Sequence, residues 1–336
     1  MSQICSKVLY KRILPAFCLG MSVLAGLVAC DSSSDIPVQQ VTEDSRLNDN
    51  ELQQLQSHDE HQRKHQNEVQ HEHEEFYFGF DLRSSPQEDA AQYLPFLEYL
   101  EEATGYHFQL HFTPKNSTTA DELGQGKVQF ASMGATSYLD AQSRYQAASL
   151  VRGINHQGKA EYQSVLVVKS NSPIRSIKDV KGRSFAFGSR SSTQGHLIPR
   201  IMLRKQGLSL KDLSRYGYTG SHQNCAEAVV VGKYDICGMQ DQLAEKLAQR
   251  GLVRIIYRSV FYPSSGIVVN RDVPQEVADK VKKALLGFYP QGKHRKGLYH
   301  WDQTEMPRGF LAADEKDYAE LKQWSLQLGF LKKEKK

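Results

Sequence analysis

The sequence lacks the short motifs that mark several common enzyme classes. Its 336 residues contain no His-Glu-x-x-His segment and no pair of Cys-x-x-Cys segments, which excludes the familiar zinc-binding patterns. The segment nearest to a phosphate-binding P-loop, 287–294, contains a proline and ends in histidine. Ser192, His222 and Asp241 could be combined into a catalytic triad, but no Gly-x-Ser-x-Gly elbow surrounds the serine. We therefore expect no catalysis, no cofactor and no metal centre of these kinds.

Cysteine is scarce, with five residues in the whole chain. Three of them lie within the first 30 residues, which leaves Cys225 and Cys237 in the body of the protein. In an oxidising compartment these two could form a disulfide. Each also lies in an apolar stretch, and a spacing of twelve residues does not fix the distance between them. The sequence slightly favours two buried, unpaired thiols.

Neither charge nor apolar residues are in excess. Hydrophobic residues make up 40% and charged residues 24% of the chain, which fits a soluble globular protein and excludes a multi-span membrane protein or a fibre. The formal net charge is +4, yet residues 31–75 carry −9 and residues 76–336 about +10. The basic residues are spread out, so no nucleic-acid binding is expected, and the mild positive field favours capture of anions.

The long apolar run of the sequence, 13–29, follows Lys7, Lys11 and Arg12, as in a secretory signal peptide. It ends in Leu-Val-Ala-Cys, which resembles the lipobox of bacterial lipoproteins, and the resemblance implies that Cys30 becomes the acylated first residue. The alternative is an uncleaved membrane anchor, because the run approaches the ~20 residues that span a bilayer. Both interpretations place the rest of the chain outside the cytoplasm on a membrane tether. Asp31 resembles a signal for retention at the inner membrane.

A polar segment, 30–75, separates this signal from the folded part. It has few aliphatic residues and cannot bury enough surface to fold alone, so it is expected to be a linker. Five histidines lie in it, His58, His61, His65, His71 and His73. They could bind zinc or copper, but the favoured interpretation is a solvated spacer, because no cysteine and no apolar shell accompanies them.

From residue 76 onward the sequence alternates between strand and helix patterns. Residues 86–104 form a helical pattern that Gly105 ends, and 162–169 alternate as a β-branched strand. Residues 193–206 are predicted to be one helix, although Pro199 within it remains unexplained. Repeated alternation predicts an α/β protein with parallel-rich sheets, and the number of units exceeds one sheet. Two lobes with a cleft between them are the expected arrangement.

The most informative segment is 185–200, where a buried strand leads through Gly188 into a helix. Ser191, Ser192 and Thr193 stand at that helix start. The first N–H groups of a helix have no internal acceptor and carry about half a positive charge, so this end could bind phosphate or a related anion. Ordinary capping of the helix by Ser192 or Thr193 explains the same residues equally well.

Several motifs in order resemble one family: Tyr162-Gln-Ser-Val-Leu-Val-Val, the segment 176–188, Ser192-Thr-Gln-Gly-His-Leu-Ile-Pro-Arg, Gly220-Ser-His, and Val231-Gly-Lys-Tyr-Asp. The family is that of phosphate-, phosphite- and phosphonate-binding proteins of ABC transporters. The resemblance covers roughly 76–320. It implies a two-lobed periplasmic-binding-protein fold, type II-like, with crossover hinge strands at 162–168 and 266–269. Lobe 1 would comprise 76–161 and 266–336, and lobe 2 would comprise 162–265.

The resemblance also implies a set of ligand-binding residues. Ser192 and Thr193 match the family's hydroxyl pair, and Gln194 replaces a third hydroxyl with an amide. The remaining candidates are the cleft tyrosine Tyr162, the second-loop histidine His222, the acid Asp241 that would face a ligand amine, and Ser137 and Tyr138 from the opposite lobe. A second acid of amine-binding members is replaced by Ser265. The substitution favours phosphate, phosphite or a small alkylphosphonate over an ammonium-bearing ligand.

These features together predict a lipid-anchored solute-binding protein on the periplasmic side of the cell membrane. It would act as a monomer and deliver a phosphorus oxyanion to an ABC permease of the inner membrane. Two alternatives stay open. One is a ligand sensor coupled to a membrane signalling partner, which the long linker permits, and the other is a metal-handling lipoprotein based on the histidine-rich linker.

Overall fold

The computed structural model describes residues 74–332. The predicted signal segment, Cys30 and the five linker histidines lie outside the described residues. Within 74–332 no helix is both long enough and apolar enough to cross a membrane. The predictions about the anchor and the linker therefore stay predictions.

Thirteen strands and eight α-helices occur in the described part of the chain. The strands are β1 Glu75–Phe80, β2 His107–Leu110, β3 Phe130–Met133, β4 Ala148–Gly153, β5 Glu161–Tyr162, β6 Ser164–Lys169, β7 Ser184–Phe187, β8 Arg215–Tyr218, β9 Ile236–Gln240, β10 Val253–Arg258, β11 Tyr262–Pro263, β12 Gly266–Val269 and β13 Phe310–Ala312. The helices are α1 Pro86–Thr104, α2 Thr119–Gly124, α3 Ala135–Tyr145, α4 Ile198–Lys205, α5 His222–Val230, α6 Asp241–Gln249, α7 Gln275–Gly287 and α8 Ala319–Leu328.

The strands form two large sheets, as the number of strand–helix units predicts, but both sheets are mixed and not parallel-rich, because the strands that return to each sheet pair antiparallel. The first has six strands in the order β13-β4-β12-β3-β1-β2, in which β1 runs parallel to β2 and β3. The second has five strands in the order β10-β6-β9-β7-β8, in which β7 runs parallel to β8 and β9. We refer to the parts built on these sheets as the first lobe and the second lobe.

A two-stranded ribbon joins the lobes. In it β5 and β11 run antiparallel, with Tyr162 opposite Tyr262. The chain passes from the first lobe into β6 of the second directly after β5, and it returns after β11 into β12 of the first. The crossing is therefore shorter than the predicted hinge strands, because β12 already lies wholly within the first sheet.

Local sequence signals explain where α1 begins and ends. Ser85 caps it by accepting a hydrogen bond from the backbone N–H of Glu88, and Pro86 occupies a first-turn position where no N–H is needed. Gly105 ends it with φ of 73°, a left-handed conformation that glycine adopts without strain. The inner face of α1 packs Phe96 and Leu100 into the aromatic core of the first lobe.

The predicted helix 193–206 is wrong in detail. Residues Thr193–Leu197 form a π-helical turn, and α4 begins only at Ile198. Pro199 thus lies in the first turn of an α-helix, where its missing N–H costs little. A Cβ on Gly238 of β9 would come within 2.5 Å of the Pro199 ring, so the glycine leaves room for this proline.

The expectation of unpaired cysteines is also wrong. Cys225 on α5 and Cys237 on β9 are joined by a disulfide, with their Cα atoms 5.8 Å apart. Helix α5 packs directly on the second sheet, and this packing brings the two residues together. The spacing along the chain alone contains no information about that contact.

Candidate functional site

Three helix starts meet at one small cavity between the lobes. They are the start of α3 after Gly134, the start of the turn after Ser192, and the start of α5 after Ser221. The cavity has a volume of about 30 Å³, room for roughly two ordered waters. Its lining comprises Asp81, Leu82, Arg83, Gly134, Tyr162, Ser189, Ser192, Thr193, Gln194, His222, Ser265 and Glu305. Both lobes and the connecting ribbon therefore contribute to it.

Tyr162 reaches the cavity from the connecting ribbon. Its side chain is 5% exposed, and its hydroxyl is buried without a hydrogen-bond partner among the described residues. Burial raises the pKa of this phenol above its ordinary value, so it stays protonated. A buried hydroxyl without a partner costs free energy, which a ligand acceptor would recover.

Ser192, Thr193 and Gln194 lie side by side at the second-lobe helix start. The Ser192 hydroxyl accepts from the Gly195 N–H at 2.9 Å, and the Thr193 hydroxyl accepts from the Thr136 N–H at 2.8 Å. Each hydroxyl keeps its own proton available, because accepting a hydrogen bond does not use the O–H. The Gln194 amide donates to the Gln163 carbonyl at 2.8 Å, so this side chain is partly committed to the backbone.

His222 is the first residue of α5 and faces the cavity from the second lobe. It is 6% exposed, and its Nδ1 has no hydrogen-bond partner among the described residues. Burial lowers its pKa to about 4; the negative charge of Glu305 acts in the opposite direction, and the positive charge of Arg83 adds a smaller lowering. The imidazole is therefore neutral at pH 7 and can offer one N–H and one acceptor nitrogen.

Three charged residues of the cavity are absent from the sequence-based candidates: Asp81, Arg83 and Glu305. Arg83 Nε lies 3.0 Å from Glu305 Oε2, and both side chains are mostly buried. Asp81 Oδ2 accepts from the Gly134 N–H at 2.9 Å and so holds the start of α3. Burial alone would raise the pKa of Glu305, but Arg83 and Ser265 lower it below its ordinary value. The acid therefore stays ionised.

The other sequence candidates lie outside this cavity. Asp241 accepts from the backbone N–H groups of Gln163 and Gln242 at 3.3 and 2.9 Å, and burial raises its pKa to about 6. Tyr138 belongs to the core, with its ring 4.7 Å from that of Tyr318. Ser137 lines a separate cavity of about 570 Å³. Among residues 74–332 no group of three or more potential ligands could hold a metal ion.

A family model described as the periplasmic substrate-binding protein of phosphonate ABC transporters matches residues 78–318. The phosphonates-binding periplasmic protein of Escherichia coli is 27% identical over 221 residues, which are 63% of this chain and 65% of that protein. The phosphate-import protein PhnD of Mycolicibacterium smegmatis is 25% identical over 57% of this chain and 65% of its own length. The match therefore spans slightly less than two thirds of either relative.

Solved structures share the fold. That of PhnD1 from Prochlorococcus marinus in complex with methylphosphonate has a TM-score of 0.70 and 18% identity, over 77% of this chain and 99% of that one. A binding protein component of a phosphonate transporter from Pseudomonas aeruginosa has a TM-score of 0.67 and 22% identity, over 76% and 86%. The chain thus has the two-lobed α/β fold of periplasmic binding proteins.

Proposed function

This chain belongs to the family of periplasmic substrate-binding proteins of phosphonate ABC transporters, and from that premise we propose that it captures a small phosphorus oxyanion for an ABC permease. One observation carries the proposal. The Tyr162 hydroxyl and the His222 Nδ1 are buried in a cavity bounded by three helix starts, and neither has a hydrogen-bond partner within residues 74–332. Helix starts and neutral donors are the groups that bind a compact anion.

The size of the cavity limits the ligand. A volume of about 30 Å³ favours the smallest phosphorus oxyanions, for which the lobes would have to move apart slightly, over ligands with a long substituent. Phosphate, phosphite and methylphosphonate are the ligands of this kind. Tyr162, Ser192, Thr193 and His222 would donate to the oxygens, while Gln194 would contribute its remaining amide hydrogen.

Ligand binding would be coupled to closure of the two lobes. The hydrogen bond from the Thr136 N–H to the Thr193 hydroxyl, 2.8 Å, joins the first lobe to the second beside the cavity. A ligand held by groups of both lobes stabilises the closed state in the same way, and the ribbon at Tyr162 and Tyr262 supplies the hinge. The closed form is then the one that the permease recognises.

Calorimetry with phosphate, phosphite, methylphosphonate and aminoethylphosphonate tests the proposal. We expect binding of at least one of the first three ligands. Tyr162→Phe should weaken that binding by about 10-fold or more, because a hydrogen bond to a charged group contributes about 1.5–3 kcal/mol. Tyr262→Phe is the matched control, since Tyr262 lies opposite Tyr162 in the ribbon and does not line the cavity. Absence of heat with every ligand at millimolar concentration would refute the proposal.

We also propose that the protein is held at the periplasmic side of the cell membrane by acylation of Cys30 and works there as a monomer. The residues before Cys30 support the anchor through their charge and apolar length. Acyl chains contribute about 0.8 kcal/mol per buried CH₂, so several chains together give stable attachment. Metabolic labelling with a labelled fatty acid should mark the wild-type protein and not the Cys30→Ser variant. A wild-type protein that takes up no label would favour the uncleaved anchor.

A further inference from the structure

The charge of the cavity is unexpected for an anion site. Its side chains include two carboxylates, Asp81 and Glu305, and one guanidinium, Arg83, while His222 is neutral. The side chains alone therefore carry a net charge of −1. Each of the three helix starts adds about half a positive charge, which leaves the cavity only slightly positive. Such a site is poorly suited to an anion that carries two full charges.

Glu305 is the carboxylate placed to contact the ligand. It is 8% exposed, and one of its oxygens, Oε2, lies 3.0 Å from Arg83 Nε. Asp81 Oδ2 likewise holds the Gly134 N–H, but it is Glu305 whose charge acts on the pKa values of Tyr162 and His222, the two cavity groups without a hydrogen-bond partner within residues 74–332. An ionised carboxylate only accepts hydrogen bonds. Glu305 therefore repels a deprotonated ligand oxygen. A protonated ligand oxygen, in contrast, can donate a hydrogen bond to Glu305.

Resting on the proposed function, we propose that Glu305 makes this cavity selective for oxyanions that carry a proton. The ligand would be a monoanion of phosphite, phosphate or an alkylphosphonate, whose P–OH donates to Glu305 while its other oxygens accept from Tyr162, Ser192 and His222. Sulfate has the same size and shape but no proton at neutral pH. It would leave the buried carboxylate facing an anionic oxygen and would be excluded.

Several titratable groups of the protein face Glu305, and each is an alternative carrier of the proton. Side chains that face Glu305 come from both lobes and the ribbon: Arg83, Asp89, Tyr93, Tyr162 and His222, with the hydroxyl of Ser265. Burial raises the pKa of both tyrosines and lowers that of the histidine to about 4. Burial also raises the pKa of Asp89, whose carboxylate accepts from the Arg83 and Ser84 N–H groups.

Titration of a protein group and titration of the ligand give different results. If Asp89 or another side chain controlled affinity, the pH midpoint would be the same for every ligand. If the ligand must carry a proton, affinity falls as pH rises, and the midpoint follows the second pKa of each ligand. Measuring the affinity of wild-type protein for phosphite and methylphosphonate between about pH 5.5 and 9 distinguishes the two cases. A midpoint that does not change with the ligand would overturn the proposal.

The role of Glu305 in selectivity is tested by Glu305→Gln, because the glutamine amide can donate a hydrogen bond to a deprotonated ligand oxygen. We expect wild-type protein to bind phosphite or methylphosphonate at least ~100-fold more tightly than sulfate, and Glu305→Gln to reduce this ratio below ~10-fold. Glu122→Gln is the matched control, because Glu122 is also a buried acid paired with a cation, Lys127, and does not line the cavity. Its ratio should equal that of the wild type.

The outcomes separate the two proposals. No binding of any phosphorus oxyanion to wild-type protein would refute the proposed function. Binding of phosphite with equal binding of sulfate, or an unchanged ratio in Glu305→Gln, would refute selectivity by Glu305 and leave the proposed function intact. If Glu305→Gln does not fold, the ligand-dependent pH series on wild-type protein still decides.

Discussion

Gly134 offers a direct test of how closure and binding are coupled. It precedes α3 in the first lobe and faces the second lobe across the cavity. Its φ and ψ, −71° and 160°, are open to any residue, so alanine fits the backbone. A Cβ there would nevertheless lie 3.0 Å from the Thr193 hydroxyl oxygen and 3.7 Å from Asp81 Oδ2. The first distance is a few tenths of an ångström too short.

Gly134→Ala should therefore weaken ligand binding without unfolding the protein. To relieve the contact, Thr193 must move away from the Thr136 N–H, which weakens the 2.8 Å hydrogen bond between the lobes. Loss of one such bond costs about 0.5–1.5 kcal/mol, which corresponds to about 2- to 12-fold in affinity. The melting temperature of the free protein should change little, because alanine is a poorer N-cap for α3 than glycine but also restricts the unfolded chain.

Calorimetry with phosphite or methylphosphonate and a thermal melt measure both effects. Gly287→Ala serves as the control, since a Cβ there would meet only the Tyr99 hydroxyl at 3.8 Å. Unchanged affinity in Gly134→Ala would show that the bond from Thr136 to Thr193 does not contribute to the bound state. A lower melting temperature together with lower affinity would attribute the effect to misfolding instead.

Two further predictions concern stability. Asp241→Asn should raise the free energy of unfolding at pH 7.5 by up to about 3 kcal/mol, because the raised pKa of about 6 means that ionising the buried acid costs stability. Between about pH 4 and 6 the folded state binds a proton at Asp241 that the unfolded state does not, so the gain in free energy of unfolding should vanish below pH 4. Urea titrations at pH 7.5 and below pH 4 measure this difference, and an equal gain at the two pH values would contradict the prediction. Cys237→Ser should lower the free energy of unfolding by about 2–3 kcal/mol in non-reducing urea titrations, because it opens the short loop that the disulfide with Cys225 closes. The difference should disappear when wild type and variant are compared in a reductant.

Elements with local start and stop signals are predictable from the sequence. The helix at 86–104 has its bounds as predicted, because Pro86 and Gly105 act within a residue or two of the ends they define. The buried strand predicted before Gly188 is found at 184–187, since its residues are buried on both faces and 185–187 form one apolar run. Strands of two or three residues, such as β11 and β13, are not predicted, because they contain no period long enough to recognise.

The candidate site was predictable where it follows from a helix start or from the resemblance. Five candidates, Tyr162, Ser192, Thr193, Gln194 and His222, lie together on the cavity. Asp81 and Arg83 have a signal in the sequence, because they follow β1, a parallel strand, and ligands bind at the carboxyl ends of such strands. Glu305 has no such signal, because it lies in the irregular segment between α7 and β13 and reaches the cavity only through tertiary packing.

The proline that the sequence left unexplained helps to build the loop that carries Ser192. Pro199 has no N–H, so the Gly195 carbonyl four residues earlier receives no helical hydrogen bond from it. That carbonyl accepts instead from the Gly188 N–H at 2.9 Å, which joins the end of β7 to the helix start. The approach is close: a Cβ on Gly195 would lie 2.8 Å from Ser192 Oγ and 3.1 Å from both Gly188 Cα and His222 Cε1. Glycine at 195 and proline at 199 therefore act together, and they fix the hydroxyl and the imidazole at one cavity before any ligand arrives.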